Sequence, residues 1–138
     1  MVEELTLSET KTILDAAEEK ALELDVPLNL AVTNSEGNLL GFRRMDGAKL
    51  VASSIAQDKA YTAAAVKKPT HELKEAAEPG GDVYGLQSTD GGRVVVFGGG
   101  FPAVHDGVVV GAVGASGGAV EEDMAASRAG LDAFESLR

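Results

Sequence analysis

Asp106-Gly107 stands between two apolar runs, residues 101–105 and 108–115. An Asp-Gly pair readily supplies the positive backbone angles of a two-residue hairpin, so the two runs are expected to return on each other as antiparallel neighbours. Residues 28–34 alternate apolar and polar side chains, Ser35-Glu36-Gly37-Asn38 makes a turn, and residues 39–45 run back; that pattern predicts a second hairpin with one buried face. Residues 93–97, Arg-Val-Val-Val-Phe, read as a further strand, separated from 101–105 by Gly98-Gly99-Gly100. Pro102 has no N–H to give to a ladder, which assigns its strand to an edge or a bulge.

Helices fill the intervals. Thr6 and Glu9 have capping-box spacing ahead of a helix that starts near Leu7, in which Ile13, Leu14, Ala17, Ala21 and Leu24 recur at helical spacing. Pro27 ends it. The predicted helix over 50–66 has a side made of small residues, Ala52, Ala56, Ala60, Ala63 and Ala64, which lets a sheet or a second subunit come close. Thr70 is placed to cap a short helix over 71–77, broken by Pro79-Gly80-Gly81. Residues 83–92 form a loop long enough to suggest binding, and a last helix covers 120–136. The order is α-β-β-α-α-β-β-β-α. It predicts an α+β fold with a five-stranded antiparallel sheet and helices packed on it, not a Rossmann sheet.

Composition narrows the function. The 138 residues suit one domain, 1–138. Hydrophobic residues make up 44% and aromatic ones 4%, with no Trp, so the core must come from Val, Leu, Ile and Ala. Twelve Lys+Arg against 22 Asp+Glu give a net charge of −10. That balance argues against nucleic acid, whose phosphates need a basic footprint, and against anionic membrane surfaces. No Cys is present, which excludes disulfides, thiolate nucleophiles and Cys-ligated zinc. No run approaches the roughly 20 apolar residues of a membrane span, and residues 1–25 lack an apolar signal core; a cytoplasmic location is expected.

Several segments taken together resemble the GlcG/HbpS family, which includes haem-binding proteins and the C-terminal domains of PduO-type cobalamin adenosyltransferases. They are Gly37-Asn38-Leu39-Leu40 with Arg43-Arg44-Met45-Asp46-Gly47, the run from Ile55 to Ala64, Pro79-Gly80-Gly81 with Tyr84-Gly85-Leu86, Gly98-Gly99-Gly100-Phe101-Pro102, and Gly111 to Gly118 followed by Glu121 and Asp123. The resemblance implies a profilin-like core, with the sheet between helical layers, and a homo-oligomer. It also implies haem as a possible cofactor. Relatives often carry Thr after the Ser-Gly-Gly corner, where this chain has Ala119.

Candidate ligand-binding residues are Tyr84 in the long loop, Gly98, Gly99, Gly100 and Phe101 at the glycine corner, and Ser116, Gly117 and Gly118 before the last helix. Glycine amides could press against a flat or anionic ligand, or simply allow a sharp corner. The start of the last helix suits a carboxylate or haem propionate, but Glu121, Glu122 and Asp123 already complement its dipole, so a carboxylate there needs Arg43, Arg44 or Arg93. His71 and His105 are candidate iron ligands, with Tyr61 and Tyr84 as oxygen alternatives. Glu72 and Glu75 could hold a cation with His71, or form a solvated acidic face; the family contains an iron-binding member with acidic pairs of this kind. Asp58, one turn from Ser54 and Thr62, and Lys59 are expected to tie the helix to a loop or a subunit. The glycine runs match no nucleotide fingerprint, and no Ser-His-Asp set or metalloprotease motif occurs. The leading expectation is a homo-oligomeric binding protein for haem or a related tetrapyrrole. Its rivals are an enzyme or accessory protein for a small carboxylate metabolite, held by Arg43, Arg93 and the Ser116-Gly117-Gly118 corner, and a structural oligomerisation module.

Overall fold

A computed structural model describes residues 3–138. The first helix, α1 (Leu7–Glu23), starts on the expected capping box: Thr6 Oγ1 accepts from Glu9 N, and Glu9 Oε1 accepts from Thr6 N, each at 3.0 Å. Two strands follow, β1 (Asn29–Asn34) and β2 (Leu39–Arg44), then the helix α2 (Val51–Val66). A 3-10 turn, Thr70–Leu73, runs into the single-turn helix α3 (Lys74–Ala77). Two more 3-10 turns, Leu86–Ser88 and Asp90–Gly92, lie in the long loop. The chain closes with β3 (Gly100–His105), β4 (Val108–Ser116) and α4 (Val120–Leu137).

The sheet has four strands in the order β2-β1-β4-β3, all antiparallel. The expected five-stranded sheet is therefore corrected: residues 93–97 form no strand. Two of their backbone groups are bonded by α2. Val95 N donates to Thr62 Oγ1 at 3.0 Å, and Thr62 Oγ1 donates to Arg93 O at 3.2 Å. A segment whose polar groups are met by a helix side chain has no need of a ladder. Pro102 sits on an edge strand, as its missing N–H requires, and the register of β3 slips just beyond it, between Ala103 and Val104. Thr70 does not cap; its hydroxyl is buried and accepts from Gly100 N at 3.0 Å.

The sheet lies between helical layers. On one face Ala56, Ala60, Ala63 and Ala64 of α2 meet Ala31 and Ala112. Two glycines set how close they come. A Cβ at Gly114 would fall 2.7 Å from Ala60 N, and one at Gly100 would fall 2.9 Å from the Lys59 carbonyl carbon. The alanine side of α2 is thus spent on the sheet. On the other face Ile13, Leu14, Leu131 and Phe134 of α1 and α4 cover Leu30, Val32 and Val113. Burying each such side chain contributes roughly 1.5–3 kcal/mol. No helix among the described residues is long and apolar enough to cross a membrane.

Candidate functional site

A cleft of about 370 Å³ opens between α3 and the long loop, lined by Lys74, Ala77, Glu78, Pro79, Tyr84, Gln87, Val96 and Phe97. Local sequence builds it. Gly80 takes a φ of 91°, and the chain folds back over α3 with Val83 N donating to Ala76 O at 2.8 Å. The return passes so near that a Cβ at Gly81 would lie 2.6 Å from the Ala76 carbonyl carbon. This fold-back puts Tyr84 and Gln87 across from Val96 and Phe97. The chain has only four Phe and two Tyr, yet Phe97 is 42% exposed and Tyr84 66% exposed in this one cleft.

Behind Phe97 lies a buried charge. Lys59 Nζ is 5.1 Å from the ring centroid and donates to Ala115 O at 2.9 Å and to Asp123 Oδ2 at 3.0 Å. Asp123 Oδ1 accepts from Gly118 N at 3.0 Å. Burial pushes the Lys59 ammonium down and the Asp123 carboxyl up from their ordinary values, and each partner's charge opposes the shift of the other. The pair pins the β4–α4 junction beneath the cleft wall. The expected tying role of Lys59 is thus met, with Ala115 and Asp123 as its partners.

The glycine corner is internal. Gly98, Gly99 and Gly100 are all buried. Gly99 O accepts from Ser127 Oγ at 2.6 Å and from Ala115 N at 3.0 Å, and Gly100 N is bound to Thr70. Phe101 is buried in the α1–α4 core, with the His71 ring 5.7 Å and the Arg128 guanidinium 6.0 Å from its own. At the Ser116-Gly117-Gly118 corner the chain's own carboxylates occupy the amides: Gly118 N donates to Asp123, and Ala119 N to Glu122 Oε1 at 2.9 Å.

The two arginines are separated. Arg43 pairs with Asp15 at 2.8 Å and Glu18 at 3.2 Å, beside a cleft lined by Leu22, Arg44, Met45 and Asp46. Arg93 pairs with Asp58 at 3.3 Å and stacks 3.6 Å over Tyr61; Asp58 thus ties the helix to the loop. His105 ends β3, whereas His71 packs on Phe101 near its start. At about 3.3 Å per residue, the two histidines stand too far apart to share one ion. Glu72 and Glu75 are exposed. No group of three or more His, Asp or Glu that could hold a metal ion occurs among the described residues. Of the expected residues, only Tyr84 lines the Phe97 cleft. Val96 and Phe97 were missed because 93–97 reads as a strand, and Lys74 because a lone lysine on a short polar helix carries no signal.

Residues 5–132 match the family model for the haem degrading protein HbpS-like family. The chain belongs to the HbpS-like family. Among its relatives, an uncharacterized 15.0 kDa protein from the dhaT-dhaS intergenic region of Citrobacter freundii is 44% identical over 133 residues, covering 96% of this chain and 94% of that protein. The corrinoid adenosyltransferase PduO of Salmonella typhimurium is 42% identical over 120 residues, which cover 87% of this chain and 36% of PduO. The HbpS-like fold is shared with a crystal structure of a PduOC:heme complex, at a TM-score of 0.92 and 39% identity over 95% of each chain.

Proposed function

We propose that this chain binds haem or a related tetrapyrrole in the Phe97 cleft, as a homo-oligomer. The carrying observation is the concentration of exposed aromatic surface there. A chain poor in aromatics leaves Tyr84 and Phe97 facing one apolar opening, and large exposed apolar patches mark binding sites. The cleft has the parts a flat, partly anionic ligand needs. Phe97, Val96, Pro79 and Ala77 offer apolar faces, and Lys74 offers a cation to a propionate. Tyr84 offers an oxygen to iron. Bound haem would supply an iron centre for ligand or electron exchange. A PduOC:heme complex on the same fold supports the reading. Self-association is supported by Leu50 and Val51, which expose 72% and 70% of their surfaces at the start of α2; light scattering at micromolar concentration tests it. The carboxylate-metabolite reading finds Arg43 and Arg93 already paired to acids.

Haemin titration tests the proposal. Wild type is expected to give a saturable Soret shift. Phe97→Ala and Tyr84→Ala are expected to weaken binding about tenfold, the loss of one anchoring contact, while His105→Ala leaves it unchanged. Absence of a saturable shift in wild type overturns the reading.

A further inference from the structure

Tyr61 stands on the outward side of α2 with a different neighbour on each side of its ring. The Arg93 guanidinium stacks 3.6 Å from the ring centroid, and its Nε donates to Asp58. The Tyr61 hydroxyl donates to the Asp90 carboxylate. That carboxylate raises the pKa of the phenol above its ordinary value. The ring also rests on the β1–β2 turn, where a Cβ at Gly37 would fall 2.5 Å from Tyr61 Cδ1. Next along α2, Thr62 binds the backbone at Arg93 and Val95. Residues 90–95 are therefore fastened to α2 at three positions, Asp90, Arg93 and Val95. Asp90 holds a left-handed φ of 52°, uncommon for a residue other than glycine, and its side chain is anchored at that point.

The position of this fastening in the chain gives it a role. On its N-terminal side the chain supplies Tyr84 and Gln87, one wall of the cleft; on its C-terminal side it supplies Val96 and Phe97, the other wall. We propose that Tyr61, Asp90 and Arg93 form a latch that holds the long loop against α2 and thereby fixes the spacing of the two walls. Tyr61 is a positioning residue that does not line the cleft. For its ligand the inference rests on the haem reading above; for the latch itself it does not.

Hydrogen exchange on the full chain without ligand tests the latch. Tyr61→Phe keeps the ring and removes the hydroxyl, and Asp90→Ala removes the acceptor. In both, amides of residues 83–92 are expected to exchange about tenfold faster, as a local opening would allow, with α1 and α4 unchanged. Asp90→Asn keeps an acceptor oxygen and is expected to restore wild-type exchange. Haemin release into excess apomyoglobin is then followed by stopped flow. Tyr61→Phe is expected to release haemin several-fold faster with an unaltered Soret maximum. Wild-type exchange in Tyr61→Phe and Asp90→Ala overturns the latch, and unchanged release despite faster exchange overturns its control of the cleft. If wild type takes up no haemin, the haem reading fails, and the exchange data still decide the latch.

Discussion

Lys59 and Asp123 meet at 3.0 Å with both side chains shut away from solvent, joining the middle of α2 to the first turn of α4. Taking two charges out of water is expensive, and their mutual attraction offsets that only while both are present. Lys59→Met is expected to cost roughly 3–5 kcal/mol, because it strands a buried carboxylate. Lys59→Met combined with Asp123→Asn is expected to cost less than the sum of the single changes. Urea unfolding of the four proteins measures this; strict additivity would show that the two groups are not coupled.

A second expectation concerns the close seat of α2 on the sheet. Gly114→Ala puts a methyl group against the backbone at Ala60 N. Overpacking of this kind destabilises by roughly 1–3 kcal/mol. Thermal unfolding reads the loss, and an unchanged Tm would contradict so near an approach.

Thr70 gives a third. Its buried hydroxyl is the acceptor for Gly100 N. Thr70→Val keeps the shape and leaves that amide unpaired, at an expected cost of about 1–3 kcal/mol. Thr70→Ser should retain most of the stability in the same urea assay.

Acid sensitivity follows from Glu9. Hydrogen bonds from Arg138 hold its carboxyl at about 2, well below its ordinary 4.5, despite the opposing effect of burial. A lowered folded-state value means the stabilisation is fully present above pH 4.5 and fades as pH falls toward 2. Near the surface, solvent screening trims it to about 1 kcal/mol. Glu9→Gln should lower stability at pH 7 by that amount and flatten the decline between these values; an identical acid-unfolding curve would falsify the assignment.

Local signals were readable where structure is local. The Thr6–Glu9 box, the pairing of 28–34 with 39–45 and the Asp106-Gly107 turn each depend on neighbours a few residues away, and each matches the structure; the expected single buried face of 28–34 does not, because β1 is a central strand with Asn29 to Thr33 buried on both faces. Three consecutive valines at 94–96 satisfy β-propensity equally well, but the partner that takes the backbone of Val95 is Thr62, more than thirty residues earlier. Thr70 likewise has the chemistry of a cap and the tertiary duty of an acceptor for Gly100. Lys59 shows the same limit: a lysine pattern cannot reveal that its ammonium ends beside Asp123. The sequence singled out Tyr84, but Phe97 emerged only once 93–97 was seen leaving the sheet.

The placement of the two tyrosines has an optical consequence. With no tryptophan in the chain, ultraviolet-excited emission comes from Tyr61, bonded to the Asp90 carboxylate, and from Tyr84 in the cleft. A bonded carboxylate quenches a phenol, and a quencher dissolved in the buffer reaches only the open one. The unlabelled molecule thus carries two lamps, one on the fastening and one at the mouth it governs.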